Sequence, residues 1–382
     1  MIQEIRIKNY LSFRDEAVLS FEATKDTTFE ECQVVNVTPK VRLLRFALIY
    51  GANGSGKSNL LNAMDFLCGF WFDKKSDIDE ETGVLPFLLD TETPNEPSEF
   101  NIKFFVDDKR YWYTLVLNDK QVIKENLYVY NSVQPSLVFS RELDGTASLI
   151  KLNASLVKAN ATIVEQLNVK CLSNMSFFAA RNQVNCSLAY IDEVRDWMKN
   201  NMMPIIEPGT RMFEYAGKQM EKNAELKAYI LDFVHKADYN ITDVYTEREK
   251  VPIPDFVKTS IMEDKDIPEK TKEKMLADNA IERLRTDFQH TVKNKRGEEN
   301  YRLPNSLQSE GTKRTFGIEA AIYEAIKTNG ILPIDEIESS LHPELVEFII
   351  EKFLKEKSRS QLIVTSHYDP LLNTVDDLIR KD

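Results

Sequence analysis

The chain has 382 residues, 42% of them apolar, and a net charge of −12 at pH 7. That length allows two or three domains with sizeable cores. No run reaches the ~18 apolar residues of a membrane helix, and the acidic balance speaks against a surface built for bulk nucleic-acid binding, leaving only a local basic groove open. The four cysteines, Cys32, Cys68, Cys171 and Cys186, contain no C-x-x-C pair, and the four histidines lie far apart. Reduced thiols are expected, with neither a disulfide framework nor a zinc site.

Met1 to Arg6 starts directly as an alternating strand, with no basic region followed by an apolar core, so a cytoplasmic protein without a secretory leader is expected. Ile2, Ile5, Ile7 and Tyr10, then Val18, Leu19 and Phe21 beyond the turn Arg14-Asp15-Glu16, predict β-structure. Residues 24–40 are polar and read as a loop or frayed hairpin. Leu43 to Tyr50 predicts one buried strand, and it feeds Gly51-Ala52-Asn53-Gly54-Ser55-Gly56-Lys57-Ser58, which fits G-x-x-x-x-G-K-[ST]. Asn59 to Leu67 continues as a helix whose N-terminus faces the loop.

The chemistry of such a loop is local. Backbone N–H groups along Gly51, Asn53, Gly54, Ser55 and Gly56, and on to Asn59, would cup a phosphate chain. Lys57 would reach the β- and γ-phosphates, and the Ser58 hydroxyl would ligate Mg²⁺. A nucleoside triphosphate is the expected ligand.

Phe100 to Val106, the turn Asp107-Asp108, and Tyr111 to Leu117 predict a hairpin. Val122 to Tyr130, Ser136 to Arg141 and Ala147 to Leu152 extend it into an antiparallel meander, whose aromatic stripe is expected in the sheet core. In 155–173, 187–203, 211–235 and 269–288 the apolar positions recur at helical spacing, punctuated by Pro204, Pro208, Pro252, Pro254 and Pro268. These predict a helical insertion, with the charge run Lys265 to Lys274 as a solvated helix face.

Ile331-Leu332-Pro333-Ile334 is an apolar strand that ends in Asp335-Glu336. The first acid can hold the hydration shell of Mg²⁺, and the second can polarise an attacking water. Upstream, Ser309 and Gly311 open a helix over Arg314 to Lys327, where they form either a second phosphate site or an ordinary N-cap. Downstream, Gln361 to Ser366 is a further buried strand ending at His367, which could hydrogen-bond a γ-phosphate or be a satisfied loop histidine.

The order of these motifs resembles the ABC-type ATPase heads. The Asn in Gly51-Ala52-Asn53-Gly54, the run Ile7-Lys8-Asn9-Tyr10-Leu11-Ser12-Phe13, and Leu341-His342-Pro343 after the acids resemble the SMC, RecF and OLD branch. Compact ATPases of bacterial abortive-infection systems, of the AbiL and Rlo type, are similar in motif order. The resemblance implies an α/β fold: a P-loop core sheet and antiparallel β-lobe (1–155), a helical insertion (156–300) and a C-terminal lobe (301–382). It also implies that Ser309 to Lys313 is the signature motif, with Glu310 where transporters carry Gly. Ser339 to His342 would be the D-loop, His367 the switch histidine, and Gln183 a Q-loop glutamine.

The function it implies is an ATP- and Mg²⁺-dependent ATPase, dimeric or of higher order, acting as a sensor or scaffold in anti-phage defence. A protein effector encoded nearby would be its partner, DNA contact is possible, and no membrane is involved. The alternatives are a RecF- or SMC-like DNA clamp and an ATPase gating a nuclease, although no acidic nuclease cluster is read after His367.

Overall fold

The structure, a computed structural model, describes residues 1–27, 29–145, 147–237, 240–264, 269–368 and 371. The chain forms two compact units, Met1–Gly209 with Glu324–Ser339 and Val346–Asp382, and Thr210–Tyr323 with Ser340–Leu345.

The first unit opens with β1 (Ile2–Lys8), β2 (Ala17–Ser20), α1 (Glu30–Gln33), β3 (Val34–Thr38), β4 (Val41–Leu44), β5 (Phe46–Tyr50) and α2 (Lys57–Phe70). It continues through β6 (Ser98–Val106), β7 (Lys109–Leu117), β8 (Val122–Tyr130), β9 (Ser136–Asp144) and β10 (Ala147–Leu152) to α3 (Ala161–Lys170), α4 (Phe177–Arg181) and α5 (Ile191–Asn201). In the second unit lie α6 (Phe213–Lys222), α7 (Ala224–Lys236), β11 (Ile241–Pro252), α8 (Asp255–Glu263), α9 (Glu269–Asp278), β12 (Ala280–Asn294), β13 (Gly297–Pro304) and the first part of α10 (Glu310–Thr328). The first unit regains β14 (Ile331–Ile334), most of α11 (Pro343–Lys355) and β15 (Gln361–Ser366).

The predicted meander is present and larger than expected, because β1 and β2 join it in the order β10-β9-β8-β7-β6-β1-β2. Two-residue alternation puts Ile5 and Ile7 of β1 inward, opposite Ile102 and Phe100 of β6. The β6–β7 turn is tight, and Asp107 takes φ 50° to close it. Phe100, Phe104, Tyr111 and Tyr113 are all buried, so the aromatic stripe is core. Trp197 of α5 stacks on Phe104 at 4.2 Å, covering that face.

Inside the sheet, Arg141 pairs with Glu125 at 3.2 Å, both almost fully buried. Such a pair is tolerable only when every remaining donor and acceptor is met. Glu125 accepts from Tyr113 Oη, Ser176 Oγ and the Phe177 N–H. Arg141 donates to the Leu172, Ser173 and Met175 carbonyls. The approach to α4 is thereby fastened to the sheet.

The second sheet is parallel, in the order β14-β15-β5. β14 and β15 are buried throughout, which explains the apolar runs Ile331–Ile334 and Leu362–Val364. Met202 and Ile206 bridge in parallel to Ile331 and Ile334, adding an irregular segment beside β14. Pro333 survives inside the strand because this neighbour uses only its carbonyl, which accepts from the Ile206 N–H.

Two local expectations fail. Leu43 to Tyr50 is not one strand: β4 pairs antiparallel with β3, and β5 pairs parallel with β15. Arg45 divides them. Its guanidinium turns inward to the carbonyls of Phe353, Leu354 and Glu356 at the end of α11, and stacks over the Phe353 ring. Burial lowers its pKa to about 10, so it stays cationic at neutral pH.

Nor is 156–300 purely helical, since β11, β12 and β13 form a three-stranded antiparallel sheet there. The segment 269–288 is helical only to Asp278. Asn279 at φ 47° ends α9, and Ala280 begins β12. Ile281, Leu284 and Phe288 fit helical spacing, but pairing along both edges of β12 overrides it. Phe213, Phe288 and Phe316 make this unit's core. Residues 265–268 of the charge run, including Pro268, lie outside the described residues, as do 369–370 and 372–382, where a nuclease cluster was sought.

Candidate nucleotide-binding site

The first unit sets the carboxyl ends of β5, β14 and β15 side by side. Open α/β sheets bind ligands at such an edge. β5 leads into Gly51–Ser58, and α2 begins at Lys57 with no side-chain cap. The first backbone N–H groups of α2 therefore remain available to an anion. Gly54 and Gly56 take φ 80° and 92°, which only glycine adopts freely. Close approach adds a second reason at Gly56, where a Cβ would lie 2.7 Å from Ser12 Oγ. A Cβ on Gly51 would come within 2.9 Å of Ser55 Oγ.

Lys57 arches back over the loop, its Nζ donating to the Gly51 carbonyl at 2.7 Å and to Ala52 at 3.1 Å. Ser58 Oγ donates to Asp335 Oδ1 at 3.1 Å, joining the loop to the end of β14. Thr365 of β15 is fully buried, donates to the same Asp335 oxygen and accepts from the Glu336 N–H at 2.8 Å. Glu336 sits at φ 44°, so the chain turns sharply after the acid on β14. Ser58 and Asp335 are hard oxygen donors, and among the described residues no three His, Cys, Asp or Glu gather around an ion. That set fits Mg²⁺, which takes one or two protein ligands and completes its shell with phosphate and water.

At the end of β15, the His367 N–H donates to Glu338 Oε1 at 2.9 Å, and its Nδ1 lies 3.0 Å from that oxygen. Gln183 follows α4 and lines an open cleft with Thr162, Glu165 and Gln166 of α3. In the second unit, Ser309 Oγ accepts from the Thr312 N–H at 3.0 Å and caps α10. Gly311 lies against Ser340 of the Ser339–His342 segment.

Sequence reasoning missed Thr365 and Glu338. The first is a polar residue inside an apolar strand, and the second is an acid just beyond an already explained pair.

The sequence pattern of the family described as "AAA domain, putative AbiEii toxin, Type IV TA system" matches residues 46–151 and 215–373. The chain belongs to that family. Both matched stretches carry site residues: the phosphate loop in the first, and Ser309, Asp335, Glu336 and His367 in the second. Gln183 falls between them. The match bears out the resemblance to AAA-type ATPase components linked to Abi systems.

A comparison with curated proteins gave no match. Among solved structures, the SMC head domain from Thermotoga maritima is similar at 13% identity and TM-score 0.40, covering 98% of this chain and 91% of that one. An SMC head bound to the C-winged helix domain of ScpA gives 14% and 0.42, covering 98% and 92%. No helix among the described residues of this AAA-domain protein is long and apolar enough to cross a membrane.

Proposed function

We propose that this AAA-domain protein binds ATP with Mg²⁺, hydrolyses it, and works as an ATP-gated switch in cytoplasmic anti-phage defence. The observation that carries the ATPase reading is the 3.1 Å contact from Ser58 of the phosphate loop to Asp335, with Glu336 next in the chain. Lys57 would exchange its two loop carbonyls for phosphate oxygens. Ser58 and Asp335 would hold Mg²⁺, which when bound neutralises charge developing on the transferred phosphoryl group. Thr365 keeps the Asp335 carboxylate in place, and Glu336 would take a proton from the attacking water.

In this reading two copies pair head to tail, and Ser309 and Gly311 of one complete the nucleotide site of the other. The words "toxin" and "TA system" in the family description support a partner protein whose activity follows the nucleotide state. A charge of −12 makes duplex DNA a poor principal ligand, because phosphate contacts come from Lys and Arg.

The test is Mg²⁺-dependent ATP hydrolysis by wild-type, Lys57→Ala and Glu336→Gln proteins. Lys57→Ala should lose nucleotide binding. Glu336→Gln should keep binding while turnover falls by about 10²–10⁴-fold. Hydrolysis unchanged in Glu336→Gln would remove the catalytic assignment. Co-expression with the neighbouring gene under phage challenge tests the partner, and protection that survives both Lys57→Ala and loss of the neighbour would exclude it.

A further inference from the structure

Two side-chain rungs tie the end of β14 to the end of β15. One is Thr365 with Asp335 and Glu336, already used above. The other is Glu338 with His367, to which the ATPase reading gives Glu338 no part. Glu338 Oε1 accepts the His367 backbone N–H at 2.9 Å and lies 3.0 Å from its Nδ1. The other oxygen, Oε2, is buried and meets no donor among the described residues. The Glu338 side chain is 12% exposed, while that of His367 is 49% exposed. A largely buried carboxylate thus lies against a histidine whose ring reaches the surface.

A carboxylate has no hydrogen to give, so an Nδ1 only 3.0 Å from Glu338 Oε1 favours carrying one itself, since two lone pairs would otherwise face each other. Free imidazole prefers hydrogen on Nε2, and a partner at Nδ1 reverses that preference. We infer that Glu338 is a positioning residue for His367: it holds the ring in its Nδ1–H form and leaves Nε2 as the nitrogen that can face a nucleotide. The inference rests on the ATPase reading and adds a residue to it. Anchoring the backbone N–H on the same oxygen fixes ring and main chain together, so the imidazole cannot rotate freely about the strand end. Carboxylates that accept from the other ring nitrogen of a metal-bound histidine orient it in this way.

The experiment combines ring spectroscopy with kinetics. The chain has four histidines, so ¹⁵N-histidine labelling with a His367→Ala reference assigns the ring signals. At a pH above the ordinary imidazole range, wild-type His367 should show the Nδ1–H pattern. Glu338→Ala should shift it towards Nε2–H. Glu338→Gln should retain it, because an amide oxygen accepts the same two hydrogens.

In steady-state ATP hydrolysis, Glu338→Ala should lower kcat by about 10–100-fold with little change in KM. Glu338→Gln should recover most of that loss. Adding His367→Ala to Glu338→Ala should cost nothing further, as expected for two residues acting as a unit. An Nε2–H ring in the wild type overturns the inference, as does an unchanged ring and kcat in Glu338→Ala while wild-type turnover is normal. A wild type that hydrolyses no ATP removes the ATPase reading, and the positioning role falls with it. These failures are distinguishable.

Discussion

Any side chain at Gly311 would place its Cβ 2.6 Å from the carbonyl oxygen of Ser340. Ser340 holds that carbonyl in place from a left-handed conformation, at φ 60°. The glycine is therefore required by close approach of two backbones, and the segment after Asp335-Glu336 rests directly on the start of α10. Gly311→Ala should force the two apart by several tenths of an ångström and destabilise the protein by about 1–3 kcal/mol. Urea unfolding reads the loss. ATP binding at Lys57 should persist while turnover drops, and an unfolding curve identical to wild type would contradict the contact.

Thr365 supports the acids through its hydroxyl alone, so Thr365→Val isolates that role at nearly constant volume. The substitution removes one of the two hydroxyls that Asp335 Oδ1 accepts from, leaving Ser58, and takes away the Thr365 acceptor of the Glu336 N–H, a cost of about 1–3 kcal/mol. Apparent Mg²⁺ affinity in ATP hydrolysis should fall about 10–100-fold. A magnesium titration measures it, and an unchanged midpoint would show that Asp335 needs no such support.

If nucleotide sites are shared between copies, Lys57→Ala and Ser309→Arg subunits should rescue each other when mixed. Both defects can fall in one site of the mixed dimer, leaving the other site whole. Ser309 also caps α10, and cap loss costs about 1 kcal/mol, so Ser309→Asn is the control that keeps the cap. Mixed dimers that form yet hydrolyse nothing would rule out shared sites.

Glu4 carries the clearest pH signature outside the site. Hydrogen bonds from Arg6, and also from Lys103, hold its carboxyl down at about 2. A depressed folded value stabilises the protein above the ordinary carboxylate pKa of about 4.3, and that contribution drains away as pH falls towards 2. Glu4→Gln should therefore flatten the loss of stability with acid between those limits and leave the dependence above them unchanged. Thermal midpoints measured across the range test this.

Some of the molecule was legible because chemistry dictates residue type at fixed spacing. A phosphate loop needs glycine where φ is positive, a lysine and a hydroxyl, so Gly51 to Ser58 declared itself. Although β6 and β7 each start two residues before the expected position, the borders of β8 and the ends of β6 and β7 were equally plain, since alternation stops wherever a turn begins. Thr365 and Glu338 were not, because each acquires its role only when β15 lies beside β14. Arg45 gives no signal of its own in the sequence, because the carbonyls that hold it come from α11. β12 was misread because Ile281, Leu284 and Phe288 suit a helix, and only its two strand partners decide otherwise.

The segment Met202–Ile206 has a consequence for how copies of the protein can meet. An uncovered strand edge is a template for aggregation, since its free N–H and C=O groups recruit strands from other molecules. Beyond β14 the outermost backbone is this short irregular stretch. Met203 and Ile206 spend their N–H groups on the Ile331 and Pro333 carbonyls, and Pro204 between them has none to offer. A strand added on this side would meet Pro204, which has no N–H to give, in a stretch too short and irregular for a regular ladder, so growth of the sheet beyond β14 is disfavoured.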